Sequence, residues 1–254
     1  MPKRSRTFWL ARRGHTPAEY EDAFAADDAA GRFAVADGAT EGCFTGLWAR
    51  LLVKDFVDGD RQAADAWPAL LPALQERWYA EVQTQDLPWY AEQGVRQGAS
   101  ATFVGLALED SPVALGEGLG AKDSCQWQAV AVGDTCLLHT RGDALLRAFP
   151  LDRAEQFDNF PRLVGSRMTV ENIRQRQSLW SDGRGQSGDR LWIMTDALAQ
   201  CCLTEIEAGR NPWTDLESLL ALPETGDQFV SLMEGLRDGG KLRNDDVTLL
   251  AIEL

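Results

Sequence analysis

Acidic residues stand repeatedly at the ends of apolar runs in this sequence. Phe33-Ala34-Val35-Ala36 stops at Asp37, the run 191–195 stops at Asp196, and the run 247–250 is preceded by Asp245 and Asp246. Glu21 and Asp22 flank a fourth run, Ala23-Phe24-Ala25-Ala26. Short apolar runs of this kind read as buried strands. A carboxylate at the tip of such a strand, before a glycine such as Gly38, faces the mouth of a sheet and not its core. Each aspartate alone is an ordinary turn residue; the recurrence is the signal. Where strand ends converge, like charges raise one another's pKa unless a cation neutralises them. A buried carboxylate without a partner costs several kcal/mol. Magnesium or manganese removes that cost with carboxylate oxygens, a backbone carbonyl and waters. Two such ions sharing one carboxylate activate a water and clamp a phosphate. On pattern alone, a metal centre and a set of plain turns both remain open.

The 254 residues suit one large domain or two small ones, with ample chain for a layered core. A net charge of −14 argues against general nucleic-acid or anionic-membrane binding. The basic N-terminus, MPKRSRTFWLARRG, lacks the apolar run of a signal peptide. No stretch approaches the ~20 apolar residues that span a bilayer, so a cytoplasmic location is the expectation. The five cysteines show no CxxC spacing, and Cys201 and Cys202 are adjacent, which points to reduced thiols. With only His15 and His139, a histidine-rich zinc site is excluded, and any metal must be a hard one held by oxygen.

The elements that must position these carboxylates follow from the periodicity. A hairpin turn at 27–31 joins a strand at 22–26 to the strand ending at Asp37, which sets Glu21 and Asp22 beside it. Helices are expected at 47–57 and from Ala63 to about Gln83, the second complicated by Pro68 and Pro72. Residues 87–98, with Pro88, Trp89 and two glycines, read as a loop, and so do the glycine-rich residues 109–124. Strands are expected at 100–108, 127–132, 135–140 and 144–149, with Gly133-Asp134 reading as a tight hairpin between the second and third. Residues 157–176 carry no clear pattern. Strands at 190–195 and 247–253 bracket helices that begin at Leu198, Trp213 and Phe229. Strands cluster in runs with helices between the runs, which indicates an α+β layered domain. The tryptophans read as core, with Trp48 near enough to the Asp37 turn to shape a wall; Cys43 reads as a packed thiol and His139 as structural.

The order of these motifs resembles the metal-dependent type 2C protein phosphatase family. The resemblance rests on Glu21-Asp22, Val35-Ala36-Asp37-Gly38, Gly98-Ala99-Ser100-Ala101-Thr102, Val132-Gly133-Asp134-Thr135 with Arg141 after it, Thr195-Asp196-Ala197-Leu198 and Asp245-Asp246-Val247-Thr248. It spans roughly residues 10–254 and implies one phosphatase-like domain over 1–254. The implied fold is a four-layer α-β-β-α sandwich with two central antiparallel sheets. The resemblance further implies two ions per chain, magnesium or manganese. Asp37 bridges them, Asp196 and Asp245 complete the first, and Glu21 and the Gly38 carbonyl hold the second with support from Asp22. Asp37, Asp196 and Asp245 are then the catalytic set. A metal-activated water attacks phosphorus in line, and no phosphoenzyme forms.

Departures from the family pattern bear on activity. The arginine expected four residues before Glu21 is replaced by Pro17, leaving Arg12 or Arg13 as substitutes for gripping the substrate phosphate. The histidine that some relatives place after the first Asp-Gly is Ala39. Asp134 and Asp196 match part of a third metal site, but Gln200 stands where its last carboxylate belongs, so that site is expected to be weak or absent. Two readings follow. One is a phosphatase acting on phosphoserine or phosphothreonine in a protein or on a small phosphoester. The other is a pseudophosphatase of the same fold that serves as a regulatory or binding module with a protein partner.

Overall fold

The computed structural model describes residues 3–39, 42–59, 64–85, 91–110, 124–158, 160–173, 178–221 and 226–254. In chain order the strands are β1 (Arg4–Leu10), β2 (Ala23–Asp27), β3 (Arg32–Gly38), β4 (Ser100–Asp110), β5 (Ser124–Val132), β6 (Cys136–Arg141), β7 (Ala144–Phe149), β8 (Val164–Gly165), β9 (Ser178–Gln186), β10 (Asp189–Met194) and β11 (Val247–Glu253). The helices are α1 (Thr45–Asp58), α2 (Leu71–Gln83), α3 (Ala91–Gln97), the single turn α4 (Val170–Asn172), α5 (Asp196–Glu207), α6 (Trp213–Leu220) and α7 (Gly226–Asp238).

Two antiparallel sheets lie at the centre. The first has the order β1-β11-β10-β6-β7. The second has the order β2-β3-β4-β5-β9, with β8 paired to the start of β4. The alternation of side chains along β3 shows how the layers are made. Phe33 and Val35 point into the space between the sheets, where they meet Leu191, Ile193, Leu250 and Ile252 of the first sheet. Ala34 and Ala36 point the other way, against Trp48, Leu52 and Phe56 of α1. Small residues on that face let the helix approach closely. Gly105 of β4 goes furthest: a Cβ there would lie 2.5 Å from the Phe56 ring. On the far side of the first sheet, Trp192, Met194 and Leu249 pack against Leu198, Trp213, Phe229 and Met233 of α5–α7. The result is helices, sheet, sheet, helices, the α-β-β-α sandwich that the motif order implied.

The structure corrects several local readings. Gly133-Asp134 is not a hairpin. It carries the chain from β5 in the second sheet to β6 in the first. Gly133 has φ of +90°, and a Cβ there would meet the Arg162 carbonyl at 2.6 Å, so the link is open to glycine alone. The hydroxyls of Thr102 and Thr135 bond at 2.6 Å beside it and tie the two sheets together. Residues 91–97, expected as loop, form α3, while 86–90 lie outside the described residues. The long helix expected from Ala63 is divided into a 3-10 segment (Ala64–Leu70) and α2. Pro72 sits at the start of α2, where its missing N–H costs nothing. Ala63 and most of the expected 109–124 loop lie outside the described residues. The unpatterned stretch 157–176 contains β8 and α4, and β1 and β9 are strands without a sequence signal strong enough to read. Among the described residues no helix is long and apolar enough to cross a membrane.

Candidate metal centre

Each sheet delivers acidic residues to one end of the sandwich. In the second sheet, β2 pairs with β3 so that Ala23 faces Ala36, and the residues beyond that pair, Asp22 and Asp37, come together at the strand ends. In the first sheet, β10 runs out through Thr195 into α5, whose first residue is Asp196. The neighbouring strand β11 is preceded by Asp245 and Asp246. Thr195 and Thr248 lock these neighbouring strand ends together: the Thr195 N–H donates to the Thr248 carbonyl at 3.2 Å, and the Thr248 N–H donates to Thr195 Oγ1 at 2.9 Å. Asp134 arrives on the link between the sheets. A cleft of about 520 Å³ opens here, lined by Asp37, Gly38, Asp134, Asp196 and Asp245, with Phe160 on its rim.

Hydrogen bonds hold the two halves in register. The Thr248 hydroxyl donates to Asp22 Oδ2 at 2.7 Å and also bonds the Tyr20 hydroxyl. Asp246 accepts the Arg12 N–H on one carboxylate oxygen and the Glu21 N–H on the other, each at 2.8 Å. Asp246 thereby fixes the approach of the N-terminal segment; the sequence singled it out as a strand-end acid but gave no sign of this positioning role. Arg237, itself buried, donates to the Asp245 carbonyl and so fixes the turn that leads into β11.

The electrostatics are those of carboxylates short of cations. Asp22 is 2 % exposed and Asp134 is 4 % exposed. Among the described residues, no donor reaches Asp22 Oδ1, Asp134 Oδ1 or Asp196 Oδ1, all buried. The neighbour facing Asp22 is another carboxyl, Asp37, so the most the pair can do unaided is share a proton. Burial and then the charge of Asp246 push Asp22 up to about 8, against a hydrogen bond from Thr248 that acts the other way. Burial and the charges of Asp22 and Asp196 hold Asp37 well above the ordinary carboxylate range. Burial and Asp196 push Asp134 to about 7, and the same two causes raise Asp245. Polar atoms orphaned this deep in a fold call for a partner, and hard oxygen donors without histidine suit magnesium or manganese. The donor set therefore fits a hard divalent ion. No three His, Cys, Asp or Glu side chains among the described residues are drawn in closely enough to form a finished cage. Instead the guanidinium of Arg243 reaches in and contacts Asp196 Oδ2.

The remaining expected residues are placed as follows. The Glu21 carboxylate lies outside this cleft, in an adjoining pocket of about 380 Å³ with Arg12, His15 and Arg50. It accepts from the Thr45 hydroxyl and stands 3.8 Å from the Arg12 guanidinium. Its main-chain carbonyl, however, abuts Gly38, where a Cβ would come within 2.8 Å of it. Arg13 is turned away onto α7, paired with Glu234 and Asp238. The Gln200 amide reaches the Ala154 carbonyl at 3.4 Å. Arg141 lies at the opposite end of β10, bidentate on buried Asp189, which also bonds His139 at 2.9 Å. Trp48 is wholly buried and donates to the Val164 carbonyl, so it serves the core and not the cleft wall. All five cysteines are free thiols.

Two facing antiparallel sheets between helix layers, with carboxylates at the shared end, are the fold of the metal-dependent type 2C protein phosphatases. Solved structures of that kind match essentially end to end. PppA, a key regulatory component of T6SS in Pseudomonas aeruginosa, is 19% identical with a TM-score of 0.58, covering 100% of this chain and 98% of its own. The catalytic domain of the serine threonine protein phosphatase PstP in complex with two manganese ions is 19% identical, TM-score 0.59, covering 99% and 97%. The photosystem II phosphatase PBCP is 15% identical, TM-score 0.60, covering 99% and 98%. No protein-family model matches the chain, and no curated protein matches it by sequence.

Proposed function

We propose that this chain is a divergent type 2C phosphatase: one phosphatase-like domain over residues 1–254 that hydrolyses phosphoserine or phosphothreonine esters using two manganese or magnesium ions. The observation that carries the reading is the set of carboxylates gathered into one cleft from both sheets and the link between them, Asp37, Asp134, Asp196 and Asp245, with orphaned buried oxygens on Asp134 and Asp196 and on Asp22 beside Asp37. The manganese-bound phosphatase of the same fold supports it.

In this reading Asp37, reaching in from the second sheet, would serve as a ligand to both ions. Asp196 and Asp245, reaching in from the first, would hold one of them, and Gly38 and Glu21, with Asp22 behind, would hold the other, the Glu21 carboxylate acting from the adjoining pocket through water. The ions would supply an activated water for in-line attack on phosphorus and neutralise charge on the phosphoryl oxygens. The chain's own residues do the positioning. Thr248 and Asp246 hold Asp22 and Glu21 against the first sheet, which keeps the two groups of ligands at a fixed separation. Of the two arginines, Arg12 in the adjoining pocket is the one we assign to a substrate phosphate, because Arg13 is committed to α7.

Hydrolysis of para-nitrophenyl phosphate with and without manganese, in the wild type and in Asp37→Asn, tests the proposal. Turnover that needs manganese and falls at least a hundredfold in the variant is the expected result. Turnover unchanged in Asp37→Asn refutes the site. Stabilisation by manganese without turnover establishes the pseudophosphatase reading instead.

A further inference from the structure

We propose that Arg243 is a tethered counter-cation that competes with the divalent metal for Asp196, so that metal loading is an exchange of a guanidinium for an ion. The inference rests on the metal reading above and deepens it.

The geometry of the loop between α7 and β11 is what points to exchange. Its backbone is pinned on both sides of Arg243: before it, the Leu242 N–H donates to the Leu236 carbonyl at 3.2 Å. After it, Arg237 donates to the Asp245 carbonyl as well as to the Ala11 carbonyl, and Asn244 Oδ1 accepts the Arg13 N–H at 2.7 Å. The carboxylate of Asp245 and the start of β11 therefore stay in place whatever the Arg243 side chain does. That side chain is 38% exposed, while the Asp196 side chain it touches is 14% exposed. It reaches inward from the surface and has solvent to return to. It is also held by little. Among the described residues, the guanidinium contacts one oxygen of Asp196, its buried Nε has no partner, and Asp196 Oδ1 stays unpaired. A bidentate fork, which is how arginine holds a carboxylate most strongly, is not formed. The attraction comes from the whole cluster, since Asp196, Asp245 and Asp134 all act on Arg243. A divalent ion carries twice the charge into the same cluster and can take the orphaned Asp196 Oδ1 as well as the Oδ2 that Arg243 now contacts. Arg243 then leaves without any change in the backbone.

A residue of this kind lowers metal affinity at the site holding Asp196 and stabilises the protein while no metal is present. These two effects have opposite signs, which sets exchange apart from a ligand or a purely structural role. The test uses the full chain as wild type, Arg243→Met and Arg243→Lys, stripped with chelator. Each is titrated with manganese by calorimetry and melted without metal. We expect about tenfold tighter manganese binding in Arg243→Met, equivalent to about 1.4 kcal/mol, with Arg243→Lys between it and the wild type. We expect the metal-free melting temperature to fall in the same order. Arg243→Lys keeps a cation and the fold, and so covers the case in which Arg243→Met does not fold. Equal or weaker manganese binding in the variants overturns the exchange and leaves the metal site standing. No manganese binding in any of the three removes the metal site and the exchange together.

Discussion

Replacing Asp22 with asparagine is expected to stabilise the metal-free protein at neutral pH, although it removes a carboxylate from the proposed centre. The structure fixes the sign. The ordinary value for this group is 3.8, and in the folded protein it lies at about 8. Below pH 4 the folded and unfolded chains both hold the proton, and the group makes no difference. As the pH rises from about 4 to about 8, the unfolded chain gives up its proton while the folded chain keeps it, so stability is lost over that window. By pH 7.5 the loss reaches about 5 kcal/mol as an upper bound. Relaxation of the site and penetration of water bring the expected gain from Asp22→Asn to about 2 kcal/mol. The amide still accepts from Thr248, so the link between the sheets survives. The assay is urea denaturation in chelator at pH 5 and pH 7.5, then with manganese. In chelator the variant should gain on the wild type as the pH rises; with manganese the order should reverse, because the wild type alone regains its full set of oxygens. A variant less stable than the wild type in chelator at pH 7.5, or a difference that does not change with pH, refutes the assignment of Asp22 as an uncompensated buried acid.

Two further outcomes are expected. Arg12→Ala should raise KM for a phosphoester several-fold with kcat nearly kept, whereas Arg13→Ala should change neither; steady-state kinetics on both variants decides between them, and an unchanged KM in Arg12→Ala retires the phosphate-gripping role. Asp189→Ala should cost about 3 kcal/mol, because it strands buried His139 and removes the bidentate pair that anchors Arg141. Asp189 lies at the far end of β10, about 20 Å from Asp196 by strand rise, so the activity of the folded fraction should be unchanged, and a loss of specific activity at full folding would contradict the separation of the two ends.

What the sequence reveals here depends on how local the cause is. Asp37, Asp196 and Asp245 are legible because each ends an apolar run, and burial on both faces is what makes β3, β10 and β11 apolar. The strands that escape reading are at sheet edges. β1 (RSRTFWL) and β9 (SLWSDGRGQ) each pair on one side only, so their sequences carry little apolar period. Gly183 within β9 looks like a breaker, yet it is there because a Cβ would strike the Trp127 ring at 2.4 Å. Gly133-Asp134 misleads for a related reason: the same short glycine turn serves a hairpin or a change of sheet, and only the partners of β5 and β6 decide. α3 has one buried apolar side chain among its described residues, Val95, too few for a helical period. In the site, Asp246 is visible as a strand-end acid, but its positioning role and the part played by Arg243 come from contacts with Arg12, Glu21 and Asp196 that are remote in sequence.

The place of β11 between β1 and β10 has a consequence for how the protein comes into being. Until residues 247–253 are available, β1 has no strand to pair with and the first sheet cannot close. The same segment brings Thr248 to Asp22 and Asp246 to Arg12 and Glu21. The carboxylates at residues 21 and 22 therefore wait for a strand more than two hundred residues later in the sequence. Contacts so distant in sequence are slow to form and leave strand edges open in the meantime. A chain lacking β11 can pack α1 on the second sheet, but the cleft and its carboxylates come together only once β11 is in place.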